Sequence, residues 1–441
     1  MTSSAITTEA IDAARGFRRA PRIVILGGGY AGAYCAQALE RALRGRDADV
    51  LLLDRNNFFV FYPLLVEAGT GSLEPRHTVV EIRAFLRRTR FKMAEVLEVD
   101  PDDRRVTYRI AGVQKVESAR FDHLVVALGS VTRLPDVPGL ARYGYQLKSL
   151  TDAVALRDRG IQLLEAAEAS PHEESRQSLL HLVVVGGNFT GAEVAGEFQI
   201  FLKRATRRYP SLSPQDIRVT LIERAERILG ALSPDMSAYA ARKLRSRGID
   251  VRLGVTVSEI GPDTVTLSNG ECLPAATVVW CAGIVPNPLV ERLPLPRDEQ
   301  GYIACEHDLR VKGFDNVWAV GDVANNPEPG GAPYPATAQQ AVRQGAHLAE
   351  NLRRVCEGRS PVSYEHRSLG SLAALGCRTG VAEVLGIKLS GFAAWFLWRS
   401  VYLLKMPGLS RKVRVALDWT LDLVFPRETA QLGVHRRRPS S

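Results

Sequence analysis

Two stretches decide how this chain folds: Arg22-Ile23-Val24-Ile25-Leu26-Gly27-Gly28-Gly29-Tyr30-Ala31-Gly32, and Leu182-Val183-Val184-Val185-Gly186-Gly187-Asn188-Phe189-Thr190-Gly191. In each, an apolar run suited to a buried parallel strand meets a Gly-rich turn and then a helical pattern. The first continues through a helical run from Ala33 to Leu43 and returns as Val50-Leu51-Leu52-Leu53, ending on Asp54. The second starts its helix at about Ala192 and returns as Val219-Thr220-Leu221-Ile222, ending on Glu223. In such a β-α-β unit the first glycine permits a tight turn, the second admits backbone close to a pyrophosphate, and the third packs helix on strand. The helix N-terminus favours anions, and the acid closing the next strand accepts hydrogen bonds from a ribose diol. The chain is therefore expected to be α/β, with two Rossmann-like domains that hold two nucleotides.

Gly27, Gly29, Gly32 and Asp54 satisfy the pattern fully. In the second unit Asn188 stands at the middle glycine; Asn tolerates positive φ, but its side chain is expected to occupy room near the phosphates. A third signature, Asn316-Val317-Trp318-Ala319-Val320-Gly321-Asp322-Val323-Ala324, is an apolar strand ending in Gly-Asp. It resembles the distal FAD motif, whose Asp binds the ribityl or pyrophosphate region. Because it follows the second fingerprint, the NAD domain is expected to be inserted within the FAD domain.

A length of 441 residues suits two or three domains, and 46% hydrophobic with 24% charged residues fits an ordinary globular core. The first twenty residues are polar and lack the apolar stretch of an export signal. Six cysteines (Cys35, Cys272, Cys281, Cys305, Cys356, Cys377) are scattered without metal-ligand spacing, so no metal is expected and a reducing compartment is. The net charge of +9 is concentrated at one end: from Val381 onward ten Lys/Arg face four acids, a balance of +6. A nucleic-acid site would need a basic stripe with stacking groups on the folded body, and none is expected.

The expected organisation is a disordered N-terminus (1–20), an FAD-binding part (21–150), an NADH-binding domain (151–290), a second FAD-binding part (291–365), a C-terminal membrane-associating region (366–432) and a basic tail (433–441). Ser170 to Ser178 is polar and reads as a surface connection. In the C-terminal region Phe392, Trp395, Phe396 and Leu403 recur at helical spacing, as do Val413, Leu417, Leu421 and Val424. Lys388, Arg399 and Lys405 interrupt any run near the ~20 apolar residues that a membrane span needs. Aromatic amphipathic helices flanked by Lys and Arg suit peripheral attachment to an anionic membrane surface. The alternative cover for the same faces is the protein body or a second subunit in a homodimer.

These motifs together resemble the type II NADH dehydrogenases, the single-chain, non-proton-pumping NADH:quinone oxidoreductases among the two-dinucleotide-binding flavoproteins. The resemblance runs from about Pro21 to about Leu432. Its most specific stretch is Asp54-Arg55-Asn56-Asn57-Phe58-Phe59-Val60-Phe61-Tyr62-Pro63-Leu64-Leu65-Val66-Glu67-Ala68-Gly69-Thr70-Gly71, joined by Leu128-Gly129-Ser130, Trp280-Cys281-Ala282-Gly283, Gly321-Asp322-Val323-Ala324 and Thr337-Ala338-Gln339.

The resemblance implies FAD on Gly27, Gly29, Tyr30, Ala31, Gly32, Asp54, Arg55 and Gly129, with Asp322 as its distal contact and Ala338 and Gln339 beside the isoalloxazine. It implies NADH on Gly186, Gly187, Asn188, Thr190, Gly191, Glu193, Glu223, Ala282 and Gly283. A carboxylate at Glu223 suits the free 2′-hydroxyl of NADH and repels the 2′-phosphate of NADPH, although Arg224 and Arg227 follow closely. Glu193 matches the family's glutamate near flavin and nicotinamide, which implies a proton donor; as a residue it is equally an acid well placed at a helix N-terminus. Gln339 and Arg343 complete the implied catalytic set. The family usually has a second glutamine four positions after the first, near the quinone. Here Arg343 stands there with Gln344 beside it, and either Arg343 donates to a quinone carbonyl or the acceptor differs. The implied partner is a membrane quinone, and the implied location the cytoplasmic face of the inner or plasma membrane.

Dithiol reductases of the same superfamily need a Cys pair soon after the first acid, and residues 55 to 75 hold none. Sulfide oxidation needs cysteines from two regions, and none lies between Cys35 and Cys272. Two further alternatives are an NAD(P)H-dependent flavoprotein reductase with another acceptor and a non-catalytic NADH-responsive flavoprotein that binds a partner. An acceptor panel separates them.

Overall fold

The computed structural model describes residues 20–45 and 48–433. The expected disordered N-terminus, apart from Ala20, and the basic tail beyond Gly433 lie outside the described residues. In chain order the principal helices are α1 (Tyr30–Ala42), α2 (Leu65–Gly69), α3 (Leu150–Ala169), α4 (Phe189–Ala205), α5 (Ala338–Cys356), α6 (Gly391–Lys405) and α7 (Leu409–Val424). The described residues divide into two compact units, one within 20–59, 81–130 and 285–366, the other within 60–80, 131–284 and 367–433.

The first unit is built on a seven-stranded sheet ordered Val317–Ala319, His123–Val126, Arg22–Leu26, Asp49–Asp54, Arg90–Asp100, Arg105–Ile110, Val116–Arg120. Its first five strands are parallel, in register Ile23↔Val50 and Ile23↔His123 around the centre, and the last two fold back antiparallel. Ile23, Val24, Ile25 and Leu26 are fully buried. At roughly 1.5–3 kcal/mol per buried side chain, that offsets the ~1–2 kcal/mol per residue of backbone ordering. α1 packs on α5, and the approach is close: a Cβ on Gly345 would stand 2.4 Å from the Ala31 carbonyl oxygen.

The second unit carries a five-stranded parallel sheet ordered Gly144–Tyr145, Thr277–Trp280, His181–Val185, Arg218–Glu223, Ile249–Leu253. α3 enters on a reciprocal cap, in which Ser149 Oγ accepts from the Asp152 N–H (3.1 Å) and Asp152 Oδ2 from the Ser149 N–H (2.8 Å). An antiparallel sheet of Gly370–Ala374, Gly380–Val384 and Ile387–Ser390 packs against α6. The polar stretch from Ser170 folds as a short exposed helix, Glu173–Leu179, rather than as a bare connection.

The unit boundaries differ from the sequence expectation at residues 60–80 and 131–150, which cluster with the second unit, and at 285–290, which cluster with the first. The reason is packing, since α2 lies against α3 and α4 and Leu65 and Val66 join their core. The helices also begin three residues earlier than expected, at Tyr30 and Phe189, because Gly29 and Asn188 are the N-caps.

Both Rossmann junctions depend on missing Cβ atoms. A Cβ on Gly32 would meet the Gly27 carbonyl oxygen at 1.9 Å, and one on Gly191 the Gly186 oxygen at 1.8 Å. Gly32→Ala and Gly191→Ala should each cost about 2 kcal/mol or more in urea unfolding. Gly29→Ala, at φ −72 with nothing within 4 Å of the new atom, should change stability by under about 0.5 kcal/mol. An unchanged midpoint for Gly191→Ala would show that the close junction is dispensable.

Candidate functional site: two nucleotide cradles and a carboxyl cluster

In the first unit the chain leaves its central strand at Gly27, whose φ of +99 only glycine adopts without strain. Asp54 Oδ2 accepts from the Gly28 N–H at 2.6 Å, and Oδ1 accepts from the Asn56 N–H at 2.7 Å. Burial raises the Asp54 carboxyl above its ordinary value, against the pull of these two amides and of Arg55. The first turn of α1, with Tyr30, Ala31 and Gly32, has no side-chain cap on Gly29, so its amides point at the space above that glycine. The cradle suits a pyrophosphate and a ribose, which dinucleotide cofactors share. Ser130 Oγ donates to Asp322 Oδ2 at 2.9 Å, and Asn287 donates from its backbone to the Gly129 carbonyl (3.0 Å) and from its side chain to the Leu128 carbonyl (3.3 Å). Gly27, Gly29, Gly32, Asp54, Gly129 and Asp322 therefore belong to one unit and gather at the carboxyl ends of its parallel strands. Asn287 was missed, although its Asn-Pro dipeptide was a turn signal.

The second unit repeats the design. Gly186 has φ +104, Glu223 Oε2 accepts from the Gly187 N–H at 2.6 Å, and Oε1 accepts from the Ala225 N–H at 2.8 Å. Asn188 corrects the expectation of a side chain crowding the phosphates. Its Oδ1 accepts from the Gly191 N–H at 3.0 Å as the cap of α4, and its Nδ2 donates to the Cys281 carbonyl at 2.6 Å. The side chain replaces a glycine by binding backbone on either side of the turn. Ala282 and Gly283 close the cradle: a Cβ on Gly186 would stand 2.9 Å from the Ala282 nitrogen, and Gly283 turns at φ +81. Thr190 lies in the first turn of α4.

At the start of α5, Thr337 Oγ1 caps Gln340, which puts Ala338 and Gln339 in the first turn. Gln344 points inward and takes the Gly321 N–H on Oε1 at 2.8 Å. Arg343 instead reaches His366, its Nη1 lying against both imidazole nitrogens, Nε2 the nearer. Burial, and next the Arg343 charge, hold His366 below its ordinary value.

Glu193 sits one turn into α4, where Oε1 accepts from the Ala374 N–H at 3.1 Å and Trp398 supplies a further hydrogen bond. Among the described residues no ion pair engages it. The residue keeps some accessible surface, but desolvation of the carboxyl pushes it up to about 8, helped by the Glu67 and Glu197 charges. Glu67, on α2, is 5% exposed and is pushed up to about 7 by burial, which the Arg399 charge opposes. Its oxygens take Trp419 Nε1–H at 2.7 Å and Arg399 at 3.4 Å. Glu67 was also missed; a lone acid inside Leu64-Leu65-Val66-Glu67-Ala68 was the signal.

The C-terminal helices have two faces. Ala394, Trp395 and Trp398 of α6 and Val415 and Trp419 of α7 are buried, whereas Phe392, Phe396, Leu404, Val413, Leu417, Leu421 and Val424 are at least half exposed. The regular α7 stripe expected from sequence is thus its outer face. Among the described residues no helix is long and apolar enough to cross a membrane.

Residues 21–345 match the model of the pyridine nucleotide-disulphide oxidoreductases, and residues 368–428 match the NDH2 C-terminal domain. A probable NADH dehydrogenase of Dictyostelium discoideum is 31% identical over 92% of this chain and 90% of its own length. Demethylphylloquinone reductase of Synechocystis is 33% identical over 90% and 95%. The structure of NDH2 from Plasmodium falciparum superposes with a TM-score of 0.85 at 20% identity, covering 94% of this chain and 100% of that one, a likeness of fold. The chain is an oxidoreductase of the pyridine nucleotide-disulphide family, and its C-terminal domain and relatives place it among the type II NADH dehydrogenases.

Proposed function

We propose that this chain is a non-electrogenic NADH:quinone oxidoreductase that holds FAD in its first unit and NADH in its second. The observation that carries the reading is the repeated cradle, a Cβ-free turn with a strand-closing carboxylate, once in each unit. A bound flavin supplies the two-electron chemistry, taking hydride from NADH and returning electrons to a quinone.

The chain's own residues bind, orient and hold protons. Asp54 and Glu223 are pre-set by amide hydrogen bonds to receive a ribose diol. Arg227 is committed to the Leu232 and Gly230 carbonyls, both at 3.0 Å, which supports NADH over NADPH. Ala338 and Gln339, in the first turn of α5, suit the FAD ring end, and Asp322 the ribityl or pyrophosphate region. Reduction of a quinone by NADH consumes one proton beyond the hydride. Glu193, kept protonated by burial, suits that supply, and Arg343 suits a quinone carbonyl. Relatives named as a type II NADH:quinone oxidoreductase, in Mycobacterium tuberculosis, and as a demethylphylloquinone reductase support a quinone as acceptor.

The outer faces of α6 and α7 suit an anionic membrane surface. Apolar Phe392, Phe396, Leu417 and Leu421 lie on helices that also carry Lys405, Arg411, Lys412 and Arg414. The scattered cysteines support the cytoplasmic side.

Purified protein should be yellow, bleach anaerobically with NADH and recover on adding a soluble quinone; a flavin left oxidised by NADH sinks the reading. Phe392→Ser with Phe396→Ser should weaken cosedimentation with anionic vesicles at least tenfold, about 1.4 kcal/mol or more, and added salt should weaken it further. Glu193 also predicts a stability trend. An acid whose folded pKa, about 8, lies above its unfolded value of 4.5 adds stability that is complete below that value and is lost as pH rises through the folded one. The melting temperature of Glu193→Gln should therefore gain on the parent between about pH 5 and pH 9. A constant difference across that window would show that Glu193 titrates normally.

A further inference from the structure

Glu67 lies on α2, and Glu193 and Glu197 lie one turn apart on α4, which packs against α2 within the second unit, so their charges act on one another. The cations among them are Arg399, 3.4 Å from Glu67, and Arg427, which reaches Asp422 at 2.8 Å and Glu197 at 3.3 Å. Four carboxyls thus share two guanidiniums, and full ionisation would leave a buried excess of two negative charges. Low-dielectric surroundings penalise such an excess, so protons stay in the cluster. The cations serve Glu67, Glu197 and Asp422. Glu193 has, among the described residues, the Ala374 N–H and Trp398 as donors and faces the neutral Tyr402 hydroxyl, with no cation paired to it, so a proton is held there at least cost.

What decides the division between Glu67 and Glu193 comes from the C-terminal helices. Arg399 on α6 and Trp419 on α7 donate to the two Glu67 oxygens, and the Arg399 guanidinium lies 4.5 Å from the ring centres of both Trp395 and Trp419. Both donors favour the carboxylate form of Glu67 against the burial that raises it, so Glu67 gives up its proton before Glu193 does as pH rises. A carboxylate there opposes a second negative charge on Glu193.

We propose that Glu67 is a positioning residue acting through Glu193: α6 and α7, seated on Glu67 by Arg399 and Trp419, hold it as the anion that keeps the proton on Glu193. The proposal rests on the reading of Glu193 as proton donor only for its effect on turnover. The charge coupling stands or falls separately. An alternative is a purely mechanical clamp, in which the same contacts only fasten the helices.

The test uses the full-length, flavin-loaded protein and two readouts. Infrared difference spectroscopy follows the protonated carboxyl bands against pH, with the Glu193 band identified by its loss in Glu193→Gln. The rate of NADH oxidation by a soluble quinone is measured over the same pH range. Glu67→Gln keeps an acceptor for Trp419 but loses the charge, and should move the Glu193 titration down by about one pH unit, with the alkaline fall in rate moving alongside. Glu67→Asp restores a carboxylate and should bring the titration most of the way back. Trp419→Phe weakens the hold on the Glu67 anion, and should raise the Glu67 band's titration and lower that of Glu193. A Glu193 band that titrates in Glu67→Gln where it does in the parent overturns the coupling and leaves the clamp. Should Glu67→Gln fail to fold, unmoved bands in Trp419→Phe overturn it instead. A band that moves while the rate profile stays fixed keeps the coupling and removes Glu193 as donor.

Discussion

The hydrogen bond from a turn amide to the carboxylate that closes the neighbouring strand, 2.6 Å in both units, is the constraint on which the rest of the architecture depends. It ties the end of one strand to the exit of the next and so fixes where each helix begins. A charge-assisted bond of this kind is worth about 1.5–3 kcal/mol, and it draws the acid beneath the turn. No side chain fits above it: a Cβ on Gly28 would stand 2.6 Å from Ile82 Cδ1, and one on Gly187 2.6 Å from Ile228 Cγ2. With the turn held down, the first amides of α1 and α4 face outward together. That arrangement suits an anion at each helix start with a ribose acceptor beside it.

The middle position of the turn is less constrained than its neighbours. Gly29 has open space around it and Asn188 fills the equivalent place, since backbone there is ordinary extended chain at φ −72 and −75. Asn188 repays its bulk with two hydrogen bonds, to Gly191 and to Cys281. The strict positions are those where an atom would collide, and the tolerant one is where a side chain can turn back onto the chain.

The C-terminal helices join two kinds of chemistry. Their inner faces bring Trp395, Trp398, Arg399 and Trp419 onto a cluster of acids, and their outer faces present aliphatic and aromatic side chains to the surroundings. A helix whose inner contacts are polar and charge-coupled has a seat that is specific in register, because moving Arg399 or Trp419 by one residue would cost the buried Glu67 one of its two donors.

By itself the sequence determined the two β-α-β units, their acids, the interruption of one domain by the other and the amphipathic C-terminal stripes. All of these are local: strand and helix periods of 2 and 3.6, glycines at fixed offsets, and an acid at the end of the next strand. The tertiary structure decided what depends on distant residues meeting. Glu67 lies 352 positions from Trp419 and 332 from Arg399. No spacing rule joins such residues, and their titration follows from desolvation, which exists only once the chain packs. The direction of Asn188, the inward turn of Gln344 that leaves Arg343 to His366, and the transfer of residues 60–80 to the second unit were likewise decided by packing. Periodicity tells which face of an element is apolar; only the fold tells what that face meets.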